Sequence, residues 1–597
     1  MDIVRSHVLV CSGTGCVVNQ ANELINEFEE ELKAHGLEKE VKIVRTGCHG
    51  LCELGPIVVV YPDGAFYGRV KPTDAREIVS EHLLKGRIVQ RLIAQETEKD
   101  GVSVKNLNET DFYLKQQRVA LMHCGTINPE VIGEYIAMNG YEALGRVLTT
   151  MTPKEVIEVV KASGLRGRGG AGFPTGLKWE FASPPAPEKY VCANADEGDP
   201  GAFMDRSILE GDPHVVLEAM TIAGYAIGAS QGYIYVRAEY PIAVQRLRIA
   251  IAQSREMGFL GKNIFGTGFD FDIDLRLGSG AFVCGEETAL MTSIDGKRGE
   301  PRPRPPFPAT KGLFGKPTVL NNVETFANIP HIILNGPEWF ASMGTEGSRG
   351  SKVFCLVGNI NNTGLVEVPM GITLREIVEN IGGGIPGGKK FKAAQTGGPS
   401  GGCIPIEHID TPIDFETLKD IGAMMGSGGL IIMDEDSCMV DIAKFFLDFT
   451  VEESCGMCTA CRIGTKRLLE MLEVIIEGKA TLETLKEMEC LCQHIQTASL
   501  CALGQTAPNP VLSTMRYFHD EYLAHVVDKK CPAGVCKSLL SYVIIPEKCK
   551  GCTLCAKVCP ADAITGVVKE PFVIDQEKCV KCGVCVEKCK FDAIIKQ

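Results

Sequence analysis

The residues most able to do chemistry in this chain are its cysteines, of which there are 26 in 597 residues. Two runs of four near the C-terminal end share the spacing Cys-x2-Cys-x2-Cys-x3-Cys and begin 30 residues apart. In such a run three closely spaced thiolates wrap one side of a cubane 4Fe–4S cluster, and the fourth Cys ligates the other cluster. The expected ligand sets are Cys549, Cys552, Cys555 and Cys589, and Cys559, Cys579, Cys582 and Cys585. Two zinc sites are the alternative interpretation.

Two further groups of cysteines have spacings that suit iron–sulfur clusters. The first has three close ligands and one remote ligand, joined by a segment with helical periodicity, and predicts a third 4Fe–4S site at Cys455, Cys458, Cys461 and Cys501. The second lies on two loops of an N-terminal α/β unit and predicts a 2Fe–2S site, in which each iron takes two thiolates, at Cys11, Cys16, Cys48 and Cys52. Zinc is again the alternative for each group.

A looser group of ligands precedes the C-terminal repeat. It predicts a structural zinc site formed by Cys492, His525, Cys531 and Cys536. Inert thiols are the alternative, because these spacings are irregular. Cysteines that stand singly in apolar runs, Cys192, Cys355 and Cys438, are interpreted as packing residues.

A glycine-rich segment over residues 164–180 is the main signal in the middle of the chain. Gly167-x-Gly169-x-x-Gly172 formally matches the dinucleotide fingerprint, but that motif needs a preceding strand. Here a helix with a Thr-Pro-Lys-Glu start precedes the loop, and Pro174 interrupts the residues after it. We therefore predict a loop whose backbone N–H groups approach the phosphate of FMN or of a nucleotide. A flexible surface loop is the alternative.

This loop and four later segments, in this order, resemble the flavin-binding 51-kDa-type subunit of respiratory complex I over about residues 115–530. The resemblance implies that FMN contacts Gly167, Arg168, Gly169, Lys178, Asn194, Asp196, Glu197, Gly285, Glu286, Asn321, Asn322 and Thr325. It implies that NAD(P)H contacts Phe173, Phe181, Asp199, Glu287, Arg304 and Phe307. Arg304 departs from the family's Lys, and Asp199 from its frequent Glu.

The elements that must position these residues form a multidomain α/β and α+β chain. We expect a thioredoxin-like 2Fe–2S domain, a Rossmann-like FMN domain, a ubiquitin-like β-grasp (SLBB-like) domain, a helical bundle with one 4Fe–4S cluster, and a bacterial ferredoxin-like domain with two. The expected boundaries are 1–90, 115–345, 350–425, 430–536 and 549–597, with linkers at 91–114 and 537–548. The second linker is short, which predicts that the C-terminal domain is a mobile relay.

The two fused ends extend the resemblance over essentially the whole chain, to the beta (diaphorase) subunit of electron-bifurcating FeFe-hydrogenases of anaerobic bacteria. That resemblance implies an enzyme subunit in which NAD(P)H exchanges a hydride with FMN, single electrons pass through the clusters, and no side chain acts in catalysis. The implied partners are an FeFe-hydrogenase catalytic subunit, a small thioredoxin-like 2Fe–2S subunit and soluble ferredoxin, in a hetero-oligomer. The alternatives are the diaphorase subunit of an NAD-linked formate dehydrogenase and a non-catalytic electron-relay scaffold.

The composition narrows the classes of partner. Lys and Arg number 61 and Asp and Glu 75, a formal net charge of −14, which argues against binding to nucleic acid or to an anionic membrane. The sequence has no apolar run near the roughly 18 residues of a membrane span. Because residues 1–10 lack the long apolar stretch of a secretion signal, we expect a cytoplasmic location.

Overall fold

The computed structural model describes residues 4–94 and 110–596. It divides into two compact units, Met1–Ile432 and Met433–Gln597. Part of the expected linker at 91–114 lies outside the described residues. Its end forms the short helix α4 given below.

The N-terminal domain is a four-stranded sheet in the order β2-β1-β3-β4, with β1 and β2 parallel and the other pairs antiparallel. Its strands are β1 (Ser6–Cys11), β2 (Val41–Thr46), β3 (Val58–Tyr61) and β4 (Ala65–Tyr67). Its helices are α1 (Thr14–Val18), α2 (Ala21–Ala34) and α3 (Ala75–Glu77). Apolar residues at helical spacing, among them Leu24, Phe28 and Leu32, bury one face of α2, while its acidic residues lie on the other.

The flavin domain is built on a five-stranded sheet in the order β7-β8-β6-β5-β9, in which only the edge strand β7 is antiparallel. The strands are β5 (Tyr190–Ala195), β6 (Gln231–Arg237), β7 (Gly261–Ile264), β8 (Phe269–Gly278) and β9 (Thr318–Asn322). The helices are α4 (Asp111–Leu114), α5 (Ile132–Ala137), α6 (Glu142–Thr150), α7 (Pro153–Ala162), α8 (Thr175–Ala182), α9 (Met204–Gly211), α10 (Pro213–Ile227), α11 (Pro241–Glu256), α12 (Glu287–Ile294), α13 (Pro308–Lys311), α14 (Val323–Ala327), α15 (Ile329–Asn335) and α16 (Pro337–Ala341). The predicted start of α7 is present as a capping box between Thr152 and Glu155.

The β-grasp domain follows as a mixed five-stranded sheet in the order β11-β10-β14-β12-β13. The elements are β10 (Ser351–Gly358), β11 (Gly364–Pro369), β12 (Phe391–Thr396), β13 (Gly402–Pro405), α17 (Phe415–Asp420) and β14 (Gly429–Asp434). Strand β14 lies beyond the expected boundary at residue 425, because it is the central strand of this sheet and pairs in parallel with β10.

The second unit begins with a helical bundle. Its helices are α18 (Met439–Glu453), α19 (Thr459–Ile476), α20 (Leu482–Ala498), α21 (Ala502–Thr506), α22 (Asn509–Tyr517) and α23 (His519–Leu523). Leu468, Leu472 and Ile475 of α19 and Met488 of α20 lie in one core. The spacing of the three α19 residues is the helical periodicity from which the sequence predicts the bundle.

The C-terminal domain repeats a small unit of a loop, a short helix and a strand. Its elements are β15 (Tyr542–Ile544), α24 (Leu554–Lys557), β16 (Ile564–Thr565), β17 (Val573–Ile574), α25 (Val584–Lys588) and β18 (Ile594–Lys596). Strand β15 pairs with β18, so Tyr542–Ile544, in the middle of the expected linker at 537–548, are part of this domain's own sheet.

The domain types expected from the sequence are therefore confirmed. Across residues 4–94 and 110–596, no helix is both long and apolar enough to cross a bilayer. The cytoplasmic location stays a prediction.

Candidate functional site

The candidate flavin cleft lies at the carboxyl ends of the parallel strands of the flavin domain. Strand β5 runs between β6 and β9, and Asn194 at its end is paired in register with Asn322 at the end of β9. The Asn194 side-chain amide donates to the carbonyl of Gly285 at 2.9 Å, which joins the β5 end to the segment before α12. Ligands of open parallel sheets bind at this edge, where the chain leaves neighbouring strands in different directions.

The glycine-rich loop packs directly against this edge. The Gly167 N–H donates to the Phe173 carbonyl at 2.9 Å, and the Arg168 N–H donates to the Thr325 hydroxyl at 2.8 Å. A Cβ on Gly169 would lie 3.1 Å from the Cβ of Asn322. The loop backbone thus approaches the strand ends more closely than a larger residue would allow, which suits a backbone cradle for a phosphate.

The guanidinium of Arg168 does not face the cleft. It is fully buried and donates to the backbone carbonyls of Ser351 and Arg166, at 3.0 Å each, and of Arg349, at 2.6 Å. Burial lowers its pKa to about 10. The resemblance placed Arg168 beside FMN, but in this structure its side chain ties the loop to the start of the β-grasp domain and only its backbone lines the loop.

Lys178 and Asn321 are also engaged with protein groups. The Lys178 ammonium donates to the Leu320 carbonyl at 2.9 Å, and burial lowers its pKa. The Asn321 amide oxygen accepts from the Trp179 indole N–H at 3.0 Å. These contacts fix α8 against the end of β9, so the cleft is held by bonds formed within the protein.

A buried carboxylate stands at the start of helix α9. The two oxygens of Glu197 each accept a backbone N–H at 3.0 Å, from Asp205 and Arg206. The pKa of Glu197 is raised, because the effect of burial outweighs the opposite effect of these two hydrogen bonds. Asp205, which the sequence analysis did not single out, accepts from the Asn322 amide and from the Glu324 N–H at 3.1 Å. Nothing in its local sequence could have indicated these partners, which are more than 100 residues away.

Glu286 has a capping role. Its carboxylate accepts the N–H groups of Thr288 and Ala289 at 2.9 Å each and caps helix α12. Asp196 is buried beside Gly285.

Exposed aromatic and charged residues mark the expected nucleotide side of the cleft. Phe173 is 44% exposed, Phe181 57% and Phe307 58%. The rings of Phe173 and Phe181 lie 6.4 Å apart. Arg304 donates to Glu287 at 2.7 Å. Exposed rings beside an ion pair suit a ligand with a planar ring and a ribose.

Asp199 departs from the other residues of the nucleotide set, because it bonds to the β-grasp domain. Its carboxylate accepts from the Ser427 hydroxyl at 2.6 Å. The pKa of Asp199 is raised to about 6, because the effect of burial outweighs the opposite effect of this hydrogen bond.

The four N-terminal cysteines come together at one end of the thioredoxin-like sheet. The sulfurs of Cys48 and Cys52 are 3.8 Å apart, and the Cys11 thiol bonds to those of Cys16 and Cys48. Cys11 and Cys16 are buried. A chain of four neighbouring thiols fits the ligand set of a 2Fe–2S cluster.

The Cys455 group is assembled by helix starts. Cys458 and Cys501 occupy the N-cap positions of α19 and α21, and Cys461 lies in the first turn of α19. Burial raises the pKa of Cys461 to about 11, and Cys455, Cys458 and Cys501 each act on it electrostatically. Helix N-termini favour the thiolates that a cluster needs.

Two cavities in the C-terminal domain have the predicted crossed composition. One is lined by Cys549, Cys552, Cys555 and Cys589. The other is lined by Cys559, Cys579, Cys582 and Cys585. Each contains the fourth cysteine of the opposite run, which fits two 4Fe–4S clusters.

The structure corrects one member of the expected zinc site. Cys438, His525, Cys531 and Cys536 are all buried, and their ligand atoms lie within 4.8 Å of one another. Cys492, the residue expected from the sequence, is instead buried in the core of the bundle. The Nδ1 atom of His525 bonds to the Glu521 carbonyl at 2.7 Å, which leaves Nε2 facing Cys536 at 3.3 Å. This donor set and its oriented His fit Zn²⁺.

Comparisons with known proteins agree with this architecture. Family models match a thioredoxin-like [2Fe-2S] ferredoxin over residues 2–83, a Nuo51 FMN-binding domain over 160–331 and an SLBB domain over 353–404. They also match an NADH-ubiquinone oxidoreductase-F iron-sulfur binding region over 441–525 and a 4Fe-4S dicluster domain over 541–590.

Similar whole proteins include components of hydrogenases and of quinone reductases. The chain is 61% identical to the NADP-reducing hydrogenase subunit HndC of Solidesulfovibrio fructosivorans over 458 residues, 76% of this chain and 93% of that protein. It is 44% identical to an NADH-quinone oxidoreductase subunit of Rhizobium meliloti, over 69% of this chain and 99% of that protein. A solved NAD+-reducing [NiFe]-hydrogenase in the H2-reduced state aligns with a TM-score of 0.62 at 28% identity, over 88% of this chain and 84% of that one.

Proposed function

The chain belongs to the family of FMN-binding, NADH-oxidising 51-kDa subunits with iron–sulfur domains, and from this premise we propose a finer function. It is the NAD(P)H oxidoreductase subunit of an electron-bifurcating FeFe-hydrogenase. NAD(P)+/NAD(P)H and ferredoxin are jointly coupled to the oxidation or evolution of H2, which takes place on a separate catalytic subunit.

The observation that carries this proposal is the pairing of one flavin cleft with four separate cysteine sites in a single chain. A flavin exchanges two electrons with a nicotinamide, whereas each cluster accepts one electron. A chain that can bind both kinds of group can therefore split an electron pair. The crossed cysteine sets of the C-terminal domain supply two sites beyond the Cys455 group, and they favour a soluble one-electron carrier such as ferredoxin as the second donor or acceptor.

The chain's own residues bind FMN and the nicotinamide nucleotide, orient them and shield them from solvent. When bound, FMN supplies two-electron exchange with a nicotinamide and one-electron exchange with the clusters. Phe173 and Phe181 provide exposed rings on which a nicotinamide nucleotide stacks, and Glu287 and Arg304 meet its ribose. The buried Glu197 carboxylate disfavours additional negative charge in the cleft, because little solvent screens it.

The test is anaerobic purification of the native complex, with identification of its subunits and counts of flavin, iron and zinc. We expect this chain to contribute one flavin and about 14 iron atoms to the totals, from one 2Fe–2S and three 4Fe–4S clusters, and the iron of the other subunits to add to them. We also expect an FeFe-hydrogenase subunit and H2-dependent reduction that requires NAD(P)+ and ferredoxin together. A molybdenum or tungsten subunit would establish the formate dehydrogenase alternative, and absence of flavin the relay scaffold. Either result would overturn the proposal.

A further inference from the structure

The cysteine loops of the N-terminal domain lie directly on the flavin and β-grasp domains of the same unit. A Cβ on Gly47 would lie 2.3 Å from the Cα of Gly211, so the two backbones touch without an intervening side chain. The Gly50 carbonyl accepts the backbone N–H of Leu365 in β11 at 2.7 Å. Both glycines flank Cys48, so the ligand loop itself forms the contact.

Buried polar bonds fasten the other ligand loop. The Glu210 carboxylate accepts the Thr14 N–H at 2.9 Å and also the Thr14 hydroxyl. The buried Arg246 guanidinium donates to the Ser12 carbonyl at 3.2 Å and to the Glu210 carbonyl. Leaving any of these buried groups unpaired would carry a desolvation cost, so the bonds hold the loop in place. The 2Fe–2S site is therefore held in a fixed place on the flavin domain.

Helix α9 joins the two sites. Its first N–H groups bind Glu197 in the flavin cleft, and its last residue, Gly211, touches the Cys48 loop. Its eight residues span about 12 Å. One short rigid helix therefore separates the protein groups that line the two sites.

Arg206 is the charged residue of α9 that makes contacts toward both the flavin cleft and the N-terminal cysteine loops. Its N–H donates to Glu197, while its side chain lies over the rings of Phe203 and Tyr240, with 5.4 Å from guanidinium carbon to each centroid. Its Nε is 3.9 Å from the Glu210 carboxylate, and the side chain is 24% exposed. Glu210 in turn binds Thr14, which lies in the segment between the ligands Cys11 and Cys16. The stacking holds this cation beside the cysteine loops.

We propose that Arg206 is a positioning residue that makes the N-terminal 2Fe–2S site easier to reduce and thereby sets its share of the electrons leaving the flavin cleft. Reduction there adds one electron and transfers no atom. NAD(P)H is the reductant and gives up two electrons, of which this site takes one and a second one-electron site of the chain takes the other. A nearby guanidinium stabilises the added negative charge, the more so because the loops around it are buried. This inference rests on the proposed function, which supplies the cluster and the reductant.

The test is an anaerobic redox titration of the intact complex, followed through the EPR signal of the 2Fe–2S centre. Arg206→Gln should lower the equilibrium constant for one-electron reduction about tenfold, because one nearby positive charge is lost. Arg206→Lys keeps the positive charge and should restore most of the equilibrium constant for reduction. Arg87→Gln, which removes a 75%-exposed guanidinium from the N-terminal domain that holds the cysteine site, is the control and should titrate like the wild type.

A second variant covers failure of Arg206→Gln to assemble. Glu210→Gln keeps one oxygen to accept the Thr14 N–H, and its amide NH2 can donate to the Thr14 hydroxyl. It removes a negative charge, so it should make the same centre easier to reduce. A wild-type midpoint in either assembled charge variant would overturn this inference alone. Absence of a 2Fe–2S signal from the wild-type complex would overturn the proposed function and the inference with it.

Discussion

At the scale of single residues, Arg168 joins the glycine-rich loop to the start of the β-grasp domain. Its guanidinium is fully buried on three backbone carbonyls, so Arg168→Ala leaves those carbonyls unpaired in the interior. We expect the variant to lower the free energy of unfolding of the chain by about 3–5 kcal/mol. Urea unfolding of the purified chain, followed by circular dichroism, measures this loss.

The control for Arg168 is an arginine of the same domain in a surface ion pair. Arg255 contacts Asp272 and Asp274 and is 43% exposed. Exposed pairs of this kind contribute about 0–1 kcal/mol. Equal unfolding free energies for Arg168→Ala and Arg255→Ala would contradict the structural role of Arg168.

Asp199 provides a pH-dependent signature. Burial raises its pKa to about 6, above the ordinary value of 3.8. The folded state therefore binds the proton more tightly than the unfolded state does. Asp199 contributes most stability below pH 3.8, and that contribution is lost as the pH rises through 6. Asp199→Asn should remove this loss of stability with rising pH. The test is thermal unfolding of the wild type and the variant between about pH 4 and pH 8. Stability curves that run parallel over this range would contradict the raised pKa.

Residue types and spacing predicted much of the metal chemistry, because ligands of one cluster lie close together in sequence. The crossed sets at Cys549 and Cys579 follow from such a repeat. Cys438 could not be predicted, since it reaches His525 only through the packing of α18 against the end of the bundle. Its solitary position in an apolar run is the pattern of an ordinary core residue.

At the scale of elements, the cluster of Cys438, His525, Cys531 and Cys536 connects the start of α18 to the segment that leads into the C-terminal domain. Zinc bound there would stabilise a junction that has little regular structure of its own. We expect Cys438→Ser to lower the zinc content of the chain from about one ion to near zero.

Cys492→Ser is the matched control, because Cys492 is a buried thiol of the same bundle outside the ligand cluster. It should retain zinc. Inductively coupled plasma mass spectrometry of both variants decides the point. Loss of zinc from Cys492→Ser together with retention in Cys438→Ser would restore the ligand set expected from the sequence.

Element boundaries were predicted best where apolar periodicity is strong and least well where a strand completes a sheet from a distance. The periodic segment that follows Cys461 lies in helix α19, as its pattern predicts. Strands β14 and β15 fell outside their expected domains, because each is defined by a partner strand far along the chain. A short segment such as Tyr542–Ile544 carries no local signal that distinguishes a linker from an edge strand.

At the scale of the whole molecule, the domains differ in how independent their cores are. Residues of the flavin domain share one core with parts of the β-grasp domain, whereas the C-terminal domain has its own core. That small core includes Tyr542, Ile564, Phe572 and Ile594 and is separate from the core of the helical bundle. Removal of the C-terminal domain should therefore leave the remaining cores intact.

We expect deletion of residues 540–597 to preserve reduction of an artificial dye by NADH within about twofold, because the flavin cleft and the Cys455 site keep their packing. Iron should fall by about eight atoms per chain, the content of two 4Fe–4S clusters. Coupling to ferredoxin should be lost, since electrons reach that carrier through the deleted sites. Cys552→Ser in the full chain is the companion variant, because it alters one cluster site and keeps the rest of the domain. If the truncated complex still reduced ferredoxin at the wild-type rate, the C-terminal domain would not be the relay, and the carrier would have to dock elsewhere on the complex.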